Sequence, residues 1–184
     1  MLRVAFGQGK MVSRPIAGIL HLIVYIGFIV INIELVEIII DGVFGSHRIF
    51  SSYFPRLYNI LIGSFEILAF LVLISVIIFW IRRNILKIKR FLKEEMSGWP
   101  KLDADLILYF EIILMTLFLT MNGADYTIQL NYPQNEVYIR AGSYPISQFL
   151  VPIFQDLSLN NLILLERLSW WFHILGIFIF LNYL

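Results

Sequence analysis

Three imidazoles and a stripe of carboxylates are the side chains in this sequence that could do chemistry in an apolar setting. His21 and His173 stand inside long apolar runs, and His47 lies just beyond the end of the first run. Imidazole is the usual axial ligand of a b-type haem, and a four-helix membrane bundle can hold that group between facing helices. The alternative for each His is structural, a hydrogen bond to a neighbouring helix. Glu34, Glu37 and Asp41 follow one another at i, i+3 and i+7, one face of a helix. His21 and Asn32, 11 residues apart, share a second face. Glu66 and Glu111 interrupt two further apolar runs. Carboxylates at membrane depth are expensive, so they point to interhelical bonding or to a proton or quinone site. Glu34 and Glu37 are near the end of their run, where solvation is cheap and helix-end bonding is the plainer reading. Glu66, nine residues into its run (66 − 57), is harder to explain that way. Glu166 and Arg167 read as a solvated pair at a helix end.

The elements that must position these groups follow from composition. The chain of 184 residues is 59% hydrophobic and 15% charged, whereas a soluble domain is roughly 45–50% apolar and about 25% charged. About 20 apolar residues at ~1.5 Å each cross a ~30 Å hydrocarbon core. The expected fold is all-α, a polytopic transmembrane helix bundle forming one membrane domain. Its four expected spans lie at about residues 15–40, 57–81, 104–121 and 162–184. A net charge of +1 gives no reason to expect a nucleic-acid partner. With no Cys, this chain alone builds no disulfide and no iron–sulfur cluster. Residues 1–13 lack the apolar core of a cleaved signal peptide. There is no internal repeat, which argues against a small transporter using Glu66 and Glu111.

Basic residues set the expected orientation. Arg3, Lys10 and Arg14 precede the first span, and Arg82, Arg83, Lys87, Lys89, Arg90 and Lys93 follow the second. The positive-inside rule then puts both termini in the cytoplasm. Trp80, Trp99, Trp170 and Trp171 fall near span ends, as an aromatic belt would. Residues 123–161 are expected to form a long outer connection. Within it, residues 144–157 are apolar but broken by Pro145 and Pro152, and should lie in the outer interface or dip into it. On this frame His21 is roughly 9 Å and His173 roughly 16 Å from the cytoplasmic side. They could meet across one haem with an unfavourable offset. His173 could instead pair with His47 if the intervening turn folds back. As haem ligands the order is His173, then His21, then His47. Trp170, three residues before His173, could wall a flat macrocycle. Glu34, Glu37, Asp41, His47 and residues 144–157 are candidates to border a quinone-head pocket, an apolar slot with a few polar groups. The alternative is a wet loop packed on the bundle.

Several runs read together: VAFGQGKM (residues 4–11), RPIAGILH (14–21), IELVEIIIDGVFGSHRIF (33–50) and RRNILKIKRF (82–91). They continue in GWPKLDADLIL (98–108), EIILMTLFLTMNGAD (111–125) and ERLSWWFHILGIFIFLNYL (166–184). Over nearly its whole length the chain resembles the membrane subunit encoded with, or fused to, bacterial heterodisulfide-reductase-like iron–sulfur oxidoreductases. That domain is similar to the cytochrome b gamma subunit of respiratory nitrate reductase. The resemblance implies one or two haem b groups held by His on two spans, chemistry with a membrane quinone, and electron exchange with a cytoplasmic iron–sulfur oxidoreductase subunit. It also implies the bacterial cytoplasmic membrane as location. The family domain has a further span before the VAFGQ-like segment and continues past the equivalent of Leu184. This chain is therefore expected to be shorter than the family domain at both ends. In the family pattern His21 would pair with a His beyond Leu184, and His173 with an outer group such as His47. A haem-free membrane anchor for an iron–sulfur oxidoreductase remains the competing function.

Overall fold

A computed structural model describes residues 15–88 and 98–183. The basic residues at 3, 10, 14, 89, 90 and 93, and the side chain of Asn32, lie outside the described residues. Every regular element among the described residues is helical. Helix α1 is Pro15–Phe44, and the short α2 is Ile49–Tyr53. Helix α3 is Pro55–Asn84 and α4 is Trp99–Asn131. A 3-10 turn, Ser147–Leu150, leads into α5, Val151–Phe154, and then α6, Leu159–Tyr183. Three of these, α3, α4 and α6, are long and apolar enough to cross a membrane. That matches a membrane protein built from apolar runs, each helix containing most of an expected span.

The helix ends have local causes. Pro55 and Pro100 start α3 and α4, where a missing N–H costs nothing. Gly45, at φ 68°, turns the chain out of α1. Arg82 and Arg83 end α3, where cations suit the helix dipole. Arg83 Nε also pairs with Asp105 Oδ1 of α4 at 3.0 Å, tying the two helices together at that end.

Helix α4 is the centre of the packing. It lies against α6, α3 and the 3-10 turn, while α1 lies chiefly against α3. Small residues let the backbones approach. A Cβ on Gly27 of α1 would stand 2.5 Å from Val72 Cγ2 of α3, and one on Gly176 of α6 would stand 2.6 Å from Leu114 Cδ2 of α4. Large apolar side chains such as Ile19, Ile60, Ile113, Phe172 and Ile179 remain exposed on the outer faces, as a lipid-facing surface requires.

One expectation needs correction. The third apolar run was expected to end near Met121, with residues 123–161 as a loop, but α4 continues to Asn131. Its last turns survive because Asn122, Asp125, Thr127 and Gln129 turn inward and are buried. The segment 144–157 does more than lie on the surface. Ser147 is fully buried and donates its hydroxyl to the carbonyl of Leu119 at 3.0 Å. Leu119 is 12 residues (131 − 119) before the end of α4, about 18 Å along the helix. The segment therefore folds down between α3 and α4. Glu66 holds it there: its Oε2 accepts the N–H of Ile146 at 3.0 Å and of Ser147 at 3.1 Å.

Candidate functional site

At the end of the bundle where α1 turns back towards α3, called the outer end after the expected orientation, the helices enclose a polar cluster organised by Arg48. This arginine follows α1 in a left-handed conformation, φ 52°, and is buried. Its Nε donates to Asp125 Oδ2 of α4 at 2.6 Å, and its two remaining nitrogens donate to Tyr58 Oη at 3.0 Å and Asn122 Oδ1 at 2.9 Å. The guanidinium also lies 5.4 Å from the centre of the Tyr144 ring. Asp125 is fully buried and takes a second donor, Gln129 Nε2, at 3.2 Å. Burial holds the Tyr144 phenol well above its usual range, against the pull of Arg48 and with the help of Asp125. Tyr144 therefore stays a neutral hydroxyl, donating to the Ala141 carbonyl at 2.8 Å.

The carboxylate stripe of α1 faces this cluster, and two of its members are consumed by structure. Asp41 closes the turn after α1: its Oδ1 accepts Ser46 Oγ at 2.6 Å and its Oδ2 accepts the Arg48 N–H at 2.7 Å. Glu37 starts α2 by accepting the Phe50 N–H at 3.0 Å, and accepts the Tyr58 hydroxyl at 2.9 Å. Glu34 differs. It is buried, and its Oε2 has no hydrogen-bond partner among the described residues. All three line a pocket of about 30 Å³ together with His47, Glu166 and Trp170. A space of that size holds a water molecule or two.

The histidines occupy three separate places. His47 lines the outer pocket. Its Nε2 lies 3.6 Å from Asp125 Oδ1, beyond hydrogen-bond range, and its ring sits 4.6 Å from that of Tyr138. His21 is exposed on the face of α1, its ring 5.1 Å from Phe79 of α3. His173 is buried in α6 and its Nδ1 makes a 2.9 Å bond to the Leu114 carbonyl of α4. A carbonyl only accepts, so Nδ1 carries the proton and Nε2 carries the lone pair. That tautomer, fixed by a backbone carbonyl, is the one a metal-ligating imidazole normally has. His173 lines a second cavity, of about 50 Å³, with Val24 of α1, Val72 of α3, Glu111 and Met115 of α4 and Phe180. On donor chemistry this site fits one axial ligand of a haem. On volume the cavity is far smaller than a macrocycle, which would need α1–α3 to stand further from α4–α6. Trp170 is not beside His173 in this cavity. It packs at the outer pocket, over Gly42 of α1.

A further correction concerns Glu166. It is buried rather than solvated, accepting the Tyr138 hydroxyl at 3.0 Å and Arg167 Nε at 3.0 Å. Burial, with the charge of Glu166 added, raises the Tyr138 phenol and keeps it a donor. Sequence reasoning also passed over Asn122, Asp125 and Gln129, and the central Arg48. The first three recur at i, i+3 and i+7, the same helical signature that marked Glu34, Glu37 and Asp41.

The chain is similar to parts of two curated bacterial proteins. The chain is 26% identical over 182 residues to EtfAB:quinone oxidoreductase of Syntrophomonas wolfei subsp. wolfei, covering 96% of this chain and 24% of that protein. It is 26% identical over 181 residues to the probable iron-sulfur-binding oxidoreductase FadF of Bacillus subtilis, covering 97% of this chain and 23% of that protein. The chain thus spans about a quarter of the length of the curated relatives it matches. No family model matches the chain, and no solved structure does.

Proposed function

We propose that this chain is the membrane part of an electron-transfer complex, holding haem b through His173 and linking a membrane quinone to a cytoplasmic iron–sulfur oxidoreductase of the heterodisulfide-reductase-related kind. The observation that carries the reading is the buried His173, with Nδ1 bonded to the Leu114 carbonyl and Nε2 left with the lone pair beside an apolar cavity. The names of the two relatives, which include quinone and iron–sulfur oxidoreductases, support the same chemistry. A bound haem would supply one-electron transfer across the bundle. The chain's own residues would fix the imidazole tautomer, exclude water with the walls around Val24, Val72 and Phe180, and hold the α4–α6 pair rigid at Gly176. His21 is the second candidate ligand and His47 the third. In this reading α1 is the fourth span, and both termini face the cytoplasm of a bacterial cell.

The quinone head is proposed to dock at the outer end, at the mouth of the pocket bordered by Glu34, Glu37 and Asp41, whose interior of about 30 Å³ has room for water and not for the head. Glu37 and Asp41 would act by holding the wall in place, since their oxygens already bond Phe50, Tyr58, Ser46 and Arg48. A haem-free anchor is the second reading, and the small volume beside His173 favours it. A reduced-minus-oxidised absorbance spectrum of purified membranes separates the two. A b-type signal that disappears in His173→Ala, with protein level retained, supports the haem reading. A spectrum without that signal leaves the anchor.

A further inference from the structure

Five carboxylates are buried at the outer end: Glu34, Glu37, Glu66, Asp125 and Glu166. The guanidiniums that could balance them are already engaged, Arg48 by Asp125 and Arg167 by Glu166. Glu37 and Asp41 have donors on both oxygens. Glu66 has two backbone N–H groups on one oxygen, and its other oxygen, buried without a partner among the described residues, does not line the outer pocket. Of the carboxylates lining the outer pocket, Glu34 is the one with a buried oxygen lacking any partner among the described residues. Across the same pocket, His47 Nε2 is buried and also lacks a hydrogen bond. Two unsatisfied titratable atoms facing a space with room for water are the parts of a proton relay. An uncompensated buried carboxylate is costly and keeps its proton instead.

We infer that Glu34 is a proton store for the quinone site, emptied toward the quinone and refilled by His47 through water in the pocket. This rests on the quinone reading above and names the group that deals with its protons. In quinone reduction the Glu34 O–H bond breaks and an O–H bond forms on the quinone oxygen. Electrons arrive from the iron–sulfur side, two electrons and two protons for each quinol made. The Glu34 carboxylate then takes a proton from His47, which recovers one from the outer surface. The groups around Glu34 are Glu37 and Asp41 on its own helix, His47 and Arg48 after it, Tyr58 and Glu66 on α3, and Glu166 and Arg167 on α6.

Two measurements test this, and they fail independently. The first is an infrared pH titration of the purified protein without quinone. The protonated-carboxyl band at neutral pH should lose a component in Glu34→Gln, and that component should persist, shifted, in Glu34→Asp. A band unchanged in Glu34→Gln overturns the inference, whatever the fate of the quinone reading. The second is quinone reduction by the full complex. Glu34→Gln should lower kcat about a hundredfold, within the usual range for positioned proton transfer, with KM little changed, and Glu34→Asp should restore part of the rate. His47→Phe should slow turnover and be rescued by added imidazole. A Glu34→Gln complex of normal thermal stability and normal kcat also overturns the inference. If the wild-type complex reduces no quinone, the functional reading fails and the infrared result decides the proton store by itself.

Discussion

Replacing Arg48 by Leu should be among the most damaging single changes in the chain. The guanidinium makes three hydrogen bonds, to Asp125, Tyr58 and Asn122, at 2.6, 3.0 and 2.9 Å. Tyr58 keeps a partner without it, because its hydroxyl also donates to Glu37. Asn122 Oδ1 loses its donor, and Asp125 is left as a buried carboxylate with neutral donors, Gln129 Nε2 at 3.2 Å and the Tyr144 hydroxyl at 3.4 Å, and a more distant His47. Breaking one side of a buried ion pair costs about 3–5 kcal/mol. For a chain of this size that is a fall in Tm of about 6–20 °C. The double variant Arg48→Leu/Asp125→Leu removes both charges and should recover most of the loss. It should remain about 1–3 kcal/mol short, the cost of the orphaned Asn122 carbonyl. The assay is thermal unfolding of the purified protein in detergent, followed by tryptophan fluorescence. If Arg48→Leu melts within about 2 °C of the wild type, less than 1 kcal/mol by the same scale, Arg48 does not organise this cluster. If the double variant is no better than the single one, the loss comes from something other than the stranded charge.

Glu66→Ala should free the inserted segment 144–157, leaving the buried Ser147 N–H unpartnered at about 1–3 kcal/mol and the part-buried Ile146 N–H at less. Faster amide exchange at Ser147 and new protease cleavage near Phe149 would show it, and unchanged exchange would refute it. Gly176→Val should drive α6 from α4, since even its Cβ meets Leu114 Cδ2 at 2.6 Å. A cost of about 1–3 kcal/mol is expected, with the His173–Leu114 bond loosened, readable as a changed His173 ring resonance. A reporter fused at Gly142 should give a non-cytoplasmic signal if the termini are cytoplasmic. A cytoplasmic signal there reverses the orientation.

The apolar runs named the long helices because a helix dry on every face has few alternatives to lipid. The ends of those helices were less legible. Gly123 and the polar run NGADYTIQLN look like a loop when each residue is taken for its own preference. They form helix because Asn122, Asp125 and Gln129 find partners on other elements, and no local preference records that. Arg48 was invisible for the same reason: an arginine in a turn beside Gly45 normally points to water. Glu166 was misread because the residue covering it, Tyr138, is 28 positions away. The sequence assigns the three histidines to particular runs, but whether any two share a cavity is a matter of helix rotation and distant contacts.

The Arg48–Asp125 pair also says something about how the chain is made. Arg48 follows the first long helix, and Asp125 arrives only with α4, 77 residues later. Until α4 is synthesised and inserted, the Arg48 guanidinium lacks both the Asp125 carboxylate and the Asn122 oxygen that it bonds in the finished fold. The early hairpin must therefore keep its outer end loose and wet. It closes only when Asp125 and the inserted segment arrive together. A ribosome stalled before α4 should leave a nascent hairpin open to surveillance proteases, and one stalled after Leu157 should not.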